Sequence, residues 1–135
     1  ILFPDRDVSD WTTNDGSVMA KLSYGENSVM LTGDATTETE KIILAENSIE
    51  YLDSDILKVG HHGSKTSTSP AFAQALSPQY ALISLGKDNN YGHPHQTTLD
   101  TLLSFVARIL RTDLDGTIIF KCDTILPCEI KKLKN

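Results

Sequence analysis

The sequence predicts a layered α/β domain built on a mixed sheet, and three observations predict it. Early in the chain, two apolar–polar alternating segments flank a short turn, the pattern of an antiparallel hairpin. In the middle, short apolar strands alternate with helical segments. Polar, glycine-flanked clusters then fall where those strands end, the place at which loops of such sheets carry chemistry.

Each element follows from its residues. Residues 5–16 are rich in Asp, Thr and Asn and read as a loop. Residues 17–24 alternate as a half-buried strand, Gly25-Glu26-Asn27 reads as a turn, and residues 29–32 form the second strand. Residues 36–45 carry helix formers, with capping hydroxyls at Thr36 and Thr37 and acids at Glu38 and Glu40 that favour a helix N-terminus. Residues 55–59 are a short apolar strand. Ser69 as N-cap and Pro70 at the first helical position open a helix through Leu76. Residues 80–84 read as a buried strand, 86–95 as a polar loop and 97–106 as an amphipathic helix. Two strands, 109–112 and 117–121, are expected to meet across a tight turn at Asp115-Gly116, and residues 128–133 to add an edge strand.

Composition narrows the function classes. A length of 135 residues suits one domain at most, and 39% hydrophobic with 22% charged residues is ordinary for a globular chain. Apolar runs such as Ile42-Ile43-Leu44-Ala45 are far too short to span a bilayer. The chain begins Ile1-Leu2-Phe3-Pro4, with neither an initiator Met nor a charged leader, and is expected to start inside a longer protein. A net charge of −6 lacks the basic character usual in a duplex-DNA binder, so a nucleic-acid substrate would need a metal or a further segment. Cys122 and Cys128 do not have metal-site spacing; they fit either a disulfide across the turn at Pro127 or two free thiols.

Three clusters carry the candidate chemistry: Thr32-Gly33-Asp34, Gly60-His61-His62-Gly63-Ser64 and Tyr91-Gly92-His93-Pro94-His95. All four histidines of the chain fall in the last two. A carboxylate with imidazoles suits Zn²⁺ or Mn²⁺. Taken singly, each residue has a plainer reading. Asp34 could cap the helix that starts near Thr36, and His93 and His95 could be exposed imidazoles on a rigid turn. As a set, histidines confined to glycine-flanked loops after strands point to a site. Neither a GxSxG elbow nor a phosphate-binding GxxxxGK(S/T) loop occurs. Lys65-Thr66-Ser67-Thr68-Ser69 suits either phosphate contact or a solvated loop, and Lys87-Asp88-Asn89-Asn90 reads as solvent-exposed.

In this order, Asn14-Asp15-Gly16-Ser17, Leu31-Thr32-Gly33-Asp34-Ala35, the run Asp55 to Ser67 with its Gly-His-His-Gly-Ser core, and the run Gly86 to His95 resemble one family. It is the metallo-β-lactamase-fold domain of the bacterial competence DNA-uptake channel proteins and their stand-alone relatives. Residues 111–118 also match that family's closing hairpin, and the resemblance covers residues 14–120.

The resemblance implies the C-terminal half of a four-layer αβ/βα sandwich with a two-metal site, zinc or manganese, at one edge. It implies Asp34 as the metal-bridging carboxylate and His61, by preference, as a metal ligand. His62 is implied as the alternative ligand or a proton-transfer group, and His93 and His95 as groups orienting substrate or leaving group. Asn14 and Ser17 stand where other members carry a further ligand, and Ser64 and Lys65 are expected beside the substrate, with Lys58 and Lys87 as assisting cations. The family's HxHxDH motif belongs to the first half and is absent here. The chain alone is therefore expected to hold metal weakly, to be nearly inactive, and to self-associate through an exposed sheet face. The parent is expected to be a phosphodiester hydrolase, a nuclease linked to DNA uptake, bound to a bacterial membrane or lying outside the cytoplasm. Rival expectations are a non-catalytic binding or structural domain of an uptake complex, or a hydrolase of another ester, lactone or thioester.

Overall fold

In the computed structural model, residues 1–106 and 108–133 are described. Strands β1 (Ala20–Tyr24), β2 (Asn27–Leu31), β3 (Ile56–Lys58), β4 (Tyr80–Ile83) and β5 (Arg108–Arg111) form one sheet in that spatial order. β1 pairs with β2 antiparallel; β2, β3, β4 and β5 are parallel neighbours. The expected mixed α/β sheet is present.

The helices are α1 (Thr37–Glu46), α2 (Ile49–Leu52), α3 (Pro70–Leu76), α4 (Gln96–Phe105) and α5 (Thr112–Asp115). Two begin as their residues dictate. The Thr36 hydroxyl accepts from the Glu38 amide at α1, and the Ser69 hydroxyl accepts from the Phe72 amide at α3, just before Pro70. α2, capped by Ser48, was not expected, because four residues are too few to show a helical period.

The register explains the core. Met30, Leu57 and Ala81 are paired across β2, β3 and β4, so they share one sheet face. They are buried there with Ile43, Leu52, Phe72, Leu76 and Leu102 from the helices. On the opposite face Leu22, Tyr24 and Leu31 are 59%, 55% and 41% exposed, and Tyr80 meets Phe120 edge-on at 5.8 Å.

One strand pairing differs from expectation. β5 and β6 (Thr117–Lys121) do not form a hairpin; α5 fills the interval, and β6 instead pairs antiparallel with β7 (Glu129–Leu133) in a separate two-stranded sheet. The reason is local. The Thr112 hydroxyl donates to the Leu85 carbonyl and accepts from the Leu85 amide, and the Asp115 carboxylate accepts from the Arg111 amide. These bonds turn the chain away before a two-residue hairpin can close. A Cys122–Cys128 disulfide closes the far end of the β6–β7 pair, which resolves the open choice between thiols and bridge.

Candidate active site

Because β2, β3 and β4 are parallel, their carboxyl ends lie on one edge, and the loops leaving them meet there. Those loops carry Thr32-Gly33-Asp34, residues 59–64 and residues 84–95. The three clusters, far apart in sequence, thus converge for a topological reason.

Asp34 is not a helix cap; Thr36 takes that role. The Asp34 carboxylate is partly exposed and lies 3.7 Å from Nε2 of His62. Nδ1 of His62 lies 2.5 Å from the Ser84 carbonyl oxygen. A carbonyl only accepts, so Nδ1 carries the proton and Nε2 presents its lone pair toward Asp34. His61 has its amide bonded to the Gly33 carbonyl at 3.1 Å, which ties the histidine loop to the aspartate loop. Its ring meets that of His93 edge-on at 5.6 Å, and His93 in turn lies 5.0 Å from His95 and 5.8 Å from Tyr91, the last stacked at 23°.

The backbone here is held in a costly form. His61 and His62 both adopt the left-handed region, at φ 46° and 54°. Each such non-glycine residue costs about 1–2 kcal/mol, and such strain clusters at functional sites. The following Gly63, at φ +83°, is required twice over: a Cβ there would stand 2.6 Å from Cβ of Pro94. The Gly63 carbonyl also accepts from the His95 amide, so the two histidine loops are pressed together at this glycine.

Charge follows packing. Burial lowers the pKa of His93, and the neighbouring His95, His61 and His62 lower it further against the opposing pull of Asp34. Lys58 is likewise lowered by burial, opposed by the charge of Asp34. Nδ1 of His95 is buried with no hydrogen-bond partner among the described residues. A cleft of about 320 Å³, lined by His62, Ser84, Leu85, Gly86, Asn89, Tyr91 and His93, opens beside the cluster.

Other candidates are placed differently. The Ser64 hydroxyl is buried and bonded within its own turn to Thr66, while Lys65 is exposed beside it. Ser17 borders Gly33, and the Asn14 carbonyl accepts from the Ser17 amide; no hydrogen bond ties Asn14 or Ser17 to the histidines among the described residues. Three contributors were not legible in the sequence. The Ser84 partner is a backbone carbonyl, which leaves no side-chain signal. Asn89, expected to face solvent, pins His93 by donating to its carbonyl at 2.8 Å and accepting from its amide at 3.0 Å. Glu40, buried in α1, accepts from the amides of Thr68 and Ser69 and anchors the segment leaving the histidine loop.

Asp34 and the imidazoles have the donor chemistry of a zinc or manganese site. Among the described residues, no three His, Cys, Asp or Glu side chains are gathered tightly enough to hold an ion.

Comparison with known proteins gives the setting. The chain is 44% identical over 108 residues to ComE operon protein 3 of Bacillus subtilis (strain 168), a match covering 80% of this chain and 14% of that protein. It is 36% identical over 107 residues to Competence protein ComA of Neisseria gonorrhoeae, covering 79% and 15%. These proteins are its homologues. A third, Recombination protein 2 of Haemophilus influenzae, is 35% identical over 105 residues, 78% of the chain and 13% of that protein. The chain thus spans about one seventh of the length of the curated relatives it matches. No family model matches it.

Proposed function

We propose that the chain is the C-terminal part of a metallo-β-lactamase-like hydrolase domain that cleaves phosphodiesters in a competence protein handling DNA. The observation that carries this reading is the pairing of Asp34 with an oriented His62, whose Nε2 lone pair is freed by the Ser84 carbonyl. A ligand histidine held by a backbone carbonyl on its other nitrogen is the usual arrangement around a catalytic metal.

Asp34 and His62 would hold the cation, with His61 beside them. Zinc or manganese bound there would supply Lewis-acid polarisation of the phosphoryl oxygen and activation of water. The protein's own groups do the rest. The Ser84 carbonyl fixes the His62 tautomer and ring plane. His93, whose pKa is lowered by burial and by its imidazole neighbours, offers a ring nitrogen to take up or return a proton near the leaving group. His95 orients the substrate, and Lys58 and Lys65 balance phosphate charge. A first half bearing the HxHxDH motif would complete the ligand set and cover the exposed Leu22, Tyr24 and Leu31 face; without it, that face favours self-association.

A second reading, a non-catalytic module of the same competence proteins, draws on the absence of a complete ion-holding group among the described residues. Asp34→Ala in the protein that carries this chain separates the two. Loss of phosphodiester turnover with folding and partner binding intact is expected; unchanged function would overturn the hydrolase reading in favour of the module.

A further inference from the structure

Tyr91 is 80% exposed, one ring face lying on His93 at 5.8 Å and 23°. Its other face is open. The residue lines, with His62 and His93, the cleft of about 320 Å³, at the lower end of the range for small-molecule sites. Asn89 holds this loop by bonds to both backbone groups of His93, so the platform is anchored rather than dangling. A second, larger cleft of about 830 Å³ also borders on Ser84, Leu85 and Gly86 and is lined in addition by Lys87, Thr112 and Thr117. The carboxylate in that second cleft, Asp113, is neutralised by Arg111 at 2.5 Å. The two clefts border on the same residues 84–86, the first with an aromatic ring near the histidines and the second with a lysine.

An aromatic face beside a polar track with a cation is the pattern by which proteins hold unpaired strands: bases stack on the ring while the backbone follows the groove. A duplex offers no free base face for such a ring, because its bases are already stacked and paired. We propose that Tyr91 stacks an unpaired nucleobase and that the cleft it lines with His62 and His93 seats single-stranded DNA, the backbone leaving past residues 84–86 toward Lys87 and one phosphodiester meeting the Asp34–His62 pair. This proposal rests on the hydrolase reading of the same site and names its substrate as a single strand.

The test is binding of a fluorescently labelled oligothymidylate to the chain at low salt, read by anisotropy. The comparators are an abasic deoxyribose-phosphate oligomer and a duplex of equal length. Tyr91→Ala is expected to weaken oligothymidylate binding about 5- to 100-fold, the range for loss of one base–aromatic stack. Tyr91→Phe is expected to retain it, and the abasic oligomer to be bound equally by wild type and Tyr91→Ala. Because Tyr91 lies outside the core, its replacement leaves the fold in place. Equal oligothymidylate affinity in wild type and Tyr91→Ala overturns the proposal, as does a duplex bound as tightly as the single strand, or an oligothymidylate not bound at all. Hydrolysis of a base-free phosphodiester by the Asp34→Ala protein is a separate arm. If turnover survives there while Tyr91→Ala still loses the oligonucleotide, the hydrolase reading fails and the strand-binding platform stands.

Discussion

Where β1 turns into β2, Asn27 donates both hydrogens of its amide to the carbonyls of Asp123 and Leu126, and the Glu26 amide donates to Thr124. The Asp123 carboxylate accepts from the amides of Ile125 and Leu126, and the disulfide closes the same loop. At the carboxyl ends of β2, β3 and β4 the arrangement is different. Two consecutive histidines are left-handed, Nδ1 of His95 has no partner among the described residues, and Asp34 and His62 face each other at 3.7 Å without a close bond. One end is a saturated clasp. The other keeps left-handed backbone and a buried polar atom without a partner among the described residues, features that cluster at functional sites.

The largest effect that would break this contrast is at Gly63. Gly63→Ala is expected to cost about 3 kcal/mol, from its left-handed backbone and the collision with Pro94. Urea unfolding measures it, and a cost below about 1 kcal/mol would mean that the histidine loops are not pressed together as described.

Glu40 supports the site from beneath. Glu40→Gln is expected to cost about 2 kcal/mol at acid pH, since one of the amides of Thr68 and Ser69 then faces an NH₂ that cannot accept, where even a protonated carboxyl offers two oxygens that can. The pH dependence gives a sign. Burial raises the Glu40 pKa above 4.5, while the amides of Ser69 and Thr68 pull it back in part. A raised folded-state pKa means that its stabilising contribution is complete below the unfolded value and fades as pH climbs through the folded one. The advantage of wild type over Glu40→Gln should therefore be greatest below pH 4.5 and narrow as pH rises; a widening gap would contradict it.

At the clasp, removing the disulfide with Cys122→Ser and Cys128→Ser is expected to cost about 2 kcal/mol, the figure for a short closed loop. The loss should leave the spectroscopic environment of the histidines unchanged, because the clasp and the rim lie at different ends of the sheet. Histidine NMR shifts that move on reduction would couple the two ends.

The smallest expected effect sharpens the comparison most. His61→Gly relieves about 1–2 kcal/mol of left-handed strain and forfeits about 0.5–1 kcal/mol in chain entropy. Stability should stay level or rise slightly while function falls. A clear destabilisation would show that His61 is held for packing and not for the site.

What the chain determines by itself is what neighbouring residues decide. Ser69 and Pro70 set the start of α3, and Thr36 the start of α1, because capping needs only the next turn of backbone. The alternating residues of β1 and the apolar run of β3 announce strands for the same reason. That the loops of Asp34 and of the four histidines meet at one edge of the sheet was also legible, since each follows a short apolar strand of one parallel set. The tertiary structure alone decided which histidine faces Asp34, because that depends on the Ser84 carbonyl 22 residues away. It also turned Asn89 inward, set Tyr91 as an open platform and sent β6 to β7 rather than to β5. Those outcomes depend on backbone groups and on chain segments brought together by parallel strand pairing, and neither leaves a mark on the side chains nearby in sequence.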